Sequence, residues 1–145
     1  MSETAGEYLA RCHCGAICAR YHTMLPTPGW SVRACKCGFC RAHASLTVSD
    51  ASGSLEFLAV RPELLQRYRF GSGVTEFLIC RACGVYLGAS MQGQVRRFGV
   101  LNVRALRPIP TDLPESVPMD YDLESAFEKR HRRETRWTPL TAESL

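Results

Sequence analysis

Along most of this chain, polar and apolar positions alternate over short spans and do not recur with a helical period. Ile17, Ala19 and Tyr21 alternate with Cys18 and Arg20, the pattern of a strand with one face buried. Residues 31–34, 45–48 and 55–60 read as further short strands, the last two separated by the turn-rich stretch 49–54. Residues 67–70 and 75–79 flank Gly71-Ser72-Gly73 and predict a hairpin. Residues 85–89 and 95–103 complete the strand set. Pro26 and Pro28 mark 23–29 as a loop, and Pro62 opens a single helical turn over 62–65. Short strands punctuated by glycine predict a mostly β domain.

The pattern changes after residue 107. Pro108, Pro110, Pro114 and Pro118 space out an irregular arm. Residues 122–134 then read as one short helix, with acids early and bases late, as the helix dipole favours. Leu123 and Phe127 lie four apart, so this face is expected to dock on the β domain. The organisation expected is a loose leader over 1–7, a β domain over 8–107, and an arm with its helix over 108–145.

The size of the chain is compatible with this picture. At 145 residues and 46% hydrophobic, it can bury a single core and is too apolar for a disordered chain. No apolar run approaches the ~18 residues of a membrane span. Residues 1–7 show no secretory pattern, so a cytoplasmic location is expected.

Eight cysteines change the reading from fold to chemistry. Seven fall in three clusters: Cys12-His13-Cys14-Gly15, Cys35-Lys36-Cys37-Gly38-Phe39-Cys40 and Cys80-Arg81-Ala82-Cys83-Gly84. In a reducing compartment such clusters are metal ligands rather than disulfides, and cysteines one residue apart are poorly placed to bridge each other. Each cluster has a glycine beside a cysteine, which suits the tight backbone of a metal knuckle. Neighbouring backbone N–H groups can then donate to the sulfurs.

Two knuckles far apart in sequence, Cys12/Cys14 and Cys80/Cys83, make a closed four-cysteine site that staples the N-terminal segment to a later hairpin. Cys35, Cys37 and Cys40 can place three sulfurs on one ion and no more. The fourth position is then water, an incoming thiol, Cys18 or His43. His13, inside the first knuckle, reads as a surface residue, and His22 and His131 carry no separate signal.

The formal charge of +4 needs correcting for bound metal. Residues 1–108 carry 13 Lys/Arg against 6 Asp/Glu, while 109–145 carry 5 against 8. Seven metal-bound thiolates and two Zn²⁺ would remove about three positive charges from the first part. The excess that would favour nucleic acid therefore shrinks, and no basic run is interleaved with aromatics. Sixteen of the eighteen basic residues are arginine, the side chain suited to carboxylate and phosphate.

Cys-x-Cys-Gly-Ala-Ile near the N-terminus, then Cys-x-Cys-x-x-Cys-Arg, then Cys-x-x-Cys-Gly before a strand, resembles the glutathione-dependent formaldehyde-activating (GFA) family, which includes centromere protein V. The resemblance covers roughly residues 8–107. It implies a single-domain, tent-like β zinc fold with two zinc ions per chain. It implies a structural zinc on Cys12, Cys14, Cys80 and Cys83 and a catalytic zinc on Cys35, Cys37 and Cys40. The implied activity is that of a carbon–sulfur lyase, joining glutathione to formaldehyde as S-hydroxymethylglutathione. The chain departs from the family's common pattern at Lys36, Gly38, Ala42 and Val85, three of them around the second cluster.

Lys36 and Arg41 are the basic residues nearest that cluster and are candidate contacts for a thiol substrate's carboxylates. Arg67, Arg69, Arg81, Arg96 and Arg97 are further candidates. The partners expected are a small-molecule thiol such as glutathione and an aldehyde, with no membrane. The competing expectation is a non-enzymatic zinc module that binds protein or nucleic acid.

Overall fold

The computed structural model describes residues 6–145. Its strands, in chain order, are β1 (Glu7–Arg11), β2 (Ile17–His22), β3 (Arg33–Cys35), β4 (Thr47–Val48), β5 (Ser54–Ala59), β6 (Leu65–Tyr68), β7 (Thr75–Cys80), β8 (Tyr86–Gln92), β9 (Arg97–Asn102), β10 (Val117–Met119) and β11 (Thr138–Pro139). Two α-helices accompany them, α1 (Gly38–His43) and α2 (Ala126–Arg136). The chain is mostly β, as its alternation predicts. Of the leader expected over 1–7, residues 1–5 lie outside the described residues, and Glu7 opens β1 opposite His22.

The strands form two sheets. The smaller runs β1-β2-β5, antiparallel throughout. The larger runs β10-β3-β4-β9-β8-β7-β6, with β11 added on β9. The main core lies between the sheets: Ile17, Tyr21, Leu55 and Phe57 of the smaller meet Leu78, Leu87 and Leu101 of the larger. A second cluster, Phe77, Tyr86, Met91, Phe98, Val100 and Trp137, covers the other face of the larger sheet. Both faces of β8 and β9 are therefore buried, so these strands carry little polar alternation.

Gly88 of β8 lies against the Phe57 ring of the smaller sheet. A Cβ there would meet the Val100 carbonyl oxygen and lie 2.9 Å from the Phe57 ring. Glycine is needed at this position for the close approach of backbone and ring, not for an unusual φ.

The hairpin around Gly71-Ser72-Gly73 forms as the turn chemistry predicts, between β6 and β7. Four elements go beyond the sequence expectations. β1 and β11 are short pairings with little pattern of their own. β10 contains Pro118, which cannot donate to a ladder, and it accordingly sits at the sheet edge, parallel to β3. α1 is too short for a periodic signal.

The arm's helix begins at Ala126 rather than 122. Ser125 and Glu128 cap it reciprocally, Glu128 N–H donating to the Ser125 hydroxyl and Ser125 N–H to the Glu128 carboxylate. The expected docking face is not used: Leu123 precedes the helix and is fully exposed, and Phe127 is 78% exposed. The helix is held by polar contacts and by the buried Trp137 that follows it.

Candidate metal centres and the adjoining cavity

The first cysteine group joins two turns from different sheets. Cys12 and Cys14 follow β1, and Gly15 turns the chain at φ +83°. Cys80 ends β7, Cys83 follows, and Gly84 turns at φ +79°. L-residues reach that region only at a cost, which glycine avoids. Each turn is closed by a backbone hydrogen bond, Gly15 N–H to Cys12 O at 3.1 Å and Gly84 N–H to Cys80 O at 2.9 Å. Backbone N–H groups also donate to the sulfurs, Ile17 to Cys12 and Cys83 to Cys80, both at 3.4 Å.

Cys14 Sγ lies 3.8 Å from Cys12 Sγ and 3.6 Å from Cys80 Sγ. Sulfurs on a tetrahedral zinc, each ~2.3 Å from the ion, are about 3.8 Å apart. The four sulfurs of Cys12, Cys14, Cys80 and Cys83 all lie within 4.8 Å of one another, and the group can hold a metal ion.

The second group is built where β3 hands over to α1. Cys35 is the last residue of β3, and the parallel strand β10 fixes the chain beyond it through Lys36 N–H to Met119 O at 2.9 Å. Cys37 caps α1, its sulfur accepting from Cys40 N–H at 3.4 Å. Cys40 is buried in the first turn of that helix. Gly38 has no positive φ: it lies inside α1, and the helix cap does here what glycine does in the other two turns.

Cys35, Cys37 and Cys40 also lie within 4.8 Å of one another and can hold a metal ion. Hydrogen bonds with Cys35 and then Cys40 pull the Cys37 thiol far below its ordinary range. Hydrogen bonds with Cys35 and then Cys37 push the Cys40 thiol up. Three soft donors converging on one point suit a thiophilic divalent ion such as zinc.

Among the described residues, no fourth His, Cys, Asp or Glu joins this second group. Cys18 lies on β2 in the smaller sheet, with its Sγ donating to Gly15 O at 3.7 Å. His43 places Nδ1 3.0 Å from Phe39 O, one helical turn back, and its ring lies against Phe39. Neither closes the site.

The three cysteines open instead into a cavity of about 130 Å³. Phe70, Phe77, Ala89, Val100 and Trp137 make its apolar walls, and Tyr86 lines it too. Burial pushes the Tyr86 hydroxyl well above its ordinary range, and the three cysteines add to the shift. The remaining wall is cationic: Arg33 from β3 and Lys129, Arg132 and Arg133 from α2, with Tyr121 and Asp122 between them.

Lys36 and Arg41, the basic neighbours in sequence, are exposed and do not line the cavity. Arg67 and Arg69 both pair with Glu76, Arg97 donates to Ser144 O and Leu145 O, and Arg81 reaches Leu65 O. Arg33 was open to prediction, since it stands two residues before Cys35 on a strand and so shares its face. Lys129, Arg132, Arg133 and Arg136 recur at helical spacing and make a basic stripe. That stripe signals a charged face, but nothing local shows that it turns towards the cysteines.

The cavity cations are held differently. Arg132 makes a two-pronged pair with Glu124, the shortest contact 2.8 Å, and lies 3.5 Å over the Tyr121 ring. Arg33 donates to the Ser49 hydroxyl at 2.8 Å, and Arg133 to the Thr75 hydroxyl at 2.6 Å. Burial lowers the pKa of both Arg33 and Arg133.

No protein-family model matches the chain, and no curated protein does. A solved structure does. A crystal structure of a Rhodobacter sphaeroides protein aligns with a TM-score of 0.56 and 28% identity, covering 76% of this chain and 97% of that one. Among the described residues, no helix is long and apolar enough to cross a membrane.

Proposed function

We propose that this chain is a zinc-dependent carbon–sulfur lyase-type enzyme that adds a thiol to a small aldehyde, with the second cysteine group as its reactive centre. The observation that carries this reading is the difference between the two groups. One offers four sulfurs and is complete; the other offers three and opens into a cavity. Structural zinc sites are closed, and catalytic ones keep a position for substrate. The cysteine pattern resembling the GFA family supports the same division.

Zinc bound by Cys35, Cys37 and Cys40 would hold an incoming thiol as thiolate near neutral pH. An all-thiolate donor set suits sulfur activation, whereas water activation favours histidine-rich sites. Phe70, Phe77 and Trp137 make the neighbouring space apolar, and a small aldehyde can pack there beside the sulfur. The sulfur attacks the carbonyl carbon and the S–C bond forms. The carbonyl π pair moves onto oxygen, which takes a proton from water to give the hydroxyalkyl thioether. The thiol's own proton goes to solvent, so the sum is thiol plus aldehyde.

The test is adduct formation followed by NMR with zinc-loaded protein, formaldehyde and a panel of thiols that includes glutathione. The reading predicts formation above the uncatalysed rate with at least one thiol, lost in Cys37→Ser. Two bound metals with no rate enhancement for any thiol would overturn it.

A non-catalytic interaction module is the second reading, favoured by the exposed Leu123 and Phe127 beside the basic stripe of α2. Nucleic-acid binding that weakens steeply between low and moderate salt would support it.

A further inference from the structure

We infer that the thiol accepted at the three-cysteine centre is a compact mercaptocarboxylate of two or three carbons, its carboxylate held by Arg133 with Arg33 and Lys129. This rests on the reading of that centre as an open, thiol-accepting metal site.

Size gives the first argument. The cavity has a volume of about 130 Å³. Pockets for drug-sized ligands run from about 300 Å³ upward. A thiol whose sulfur sits among Cys35, Cys37 and Cys40 can place a short apolar stem and one further polar group in this space. A tripeptide thiol would have to leave part of its length outside these walls.

Charge gives the second. Arg132 is already satisfied by Glu124. Arg33, Lys129 and Arg133 line the cavity without an acidic partner within ion-pair distance, among the described residues. Asp122 is the one carboxylate on the wall. Three thiolates around a divalent ion carry a net −1. The enclosure therefore keeps about one positive charge in hand before the ligand arrives, which favours a ligand with an anionic end over a neutral one.

The third is an unmet donor. Arg133 Nε is buried and has no hydrogen-bond acceptor among the described residues, although Arg133 Nη1 reaches Thr75. Leaving a buried charged donor unpaired is costly, so such a group needs an explanation, and a ligand oxygen supplies one. A guanidinium is also the donor that best matches a carboxylate.

The experiment is a binding titration that does not depend on turnover. Cobalt-substituted protein is titrated with mercaptoacetate, 2-mercaptoethanol and glutathione, and the ligand-field spectrum gives each Kd. The inference predicts that mercaptoacetate binds at least about tenfold tighter than 2-mercaptoethanol, and tighter than glutathione. In Arg133→Gln the ratio of the first two constants should fall towards unity, and Arg133→Lys should restore part of it. A ratio reports the carboxylate contact, because a general loosening of α2 would weaken both small thiols together. Equal binding of all three thiols, or tightest binding of glutathione, overturns the inference and leaves the open-site reading standing. No spectral response to any thiol overturns both. An unchanged ratio in Arg133→Gln removes Arg133 from the assignment.

Discussion

The eight cysteines are not equivalent, and the distinction is made by single residues. Cys83 closes a four-sulfur group that joins the two sheets, so its metal would contribute directly to folding free energy. Cys37 caps a six-residue helix at one end of the larger sheet. Cys83→Ser should therefore lose one metal and unfold at a markedly lower temperature. Cys37→Ser should lose one metal and keep most of its stability. Metal content and thermal denaturation of the two variants check this, and the reverse ranking would invert the division of roles.

Tyr21 carries a second prediction at this scale. It is buried between the sheets, and burial, helped by Asp50, pushes its hydroxyl well above the ordinary value of 10.0. The folded chain keeps the proton while the unfolded chain begins to lose it near that value. The stabilisation is thus complete below about pH 10 and is lost as pH rises through the higher folded value. Tyr21→Phe should flatten the loss of stability that sets in above about pH 10, measured by urea denaturation at each pH. An equally steep loss in the variant would show that other groups govern it.

At the scale of elements, most strands were legible in the sequence; β9 lies within its expected span, and β8 runs three residues past its expected end. β2 alternates as expected, and the β6–β7 hairpin follows from its glycines. β10 was hidden by its own proline, and α1 by its brevity. α2 was legible as a helix from charge order, but its start lay in the Ser125-x-x-Glu128 box, and its docking runs through arginines rather than Leu123 and Phe127. Ser125→Ala should cost about 1 kcal/mol of helix stability. Faster hydrogen exchange along α2, with β8 and β9 unchanged, would be the signature, and a uniform change across the chain would contradict it. Gly88→Ala should destabilise by about 2 kcal/mol or more, since a methyl group there meets backbone on one side and Phe57 on the other. Chemical denaturation would detect this, and a neutral effect would mean that the sheets can part at no cost.

At the scale of the whole molecule, the cysteines that could hold metal were readable from spacing, because a knuckle is a local device. The surroundings of the second centre were not. Arg33 and Arg133 stand a hundred residues apart, and only the fold brings β3, α2 and the aromatic face of the larger sheet around one cavity. Lys36 and Arg41 illustrate the converse, near the cysteines in sequence yet outside the cavity. The account's central claim is that one metal centre is closed by protein sulfur and the other is not. X-ray absorption on zinc-loaded protein tests it most directly, by the mean number of sulfur ligands per metal. Two zinc ions with about 3.5 sulfurs each on average, rising to about 4 on saturation with a thiol, is the predicted result. Four sulfurs per zinc before any thiol is added, unchanged afterwards, would contradict it.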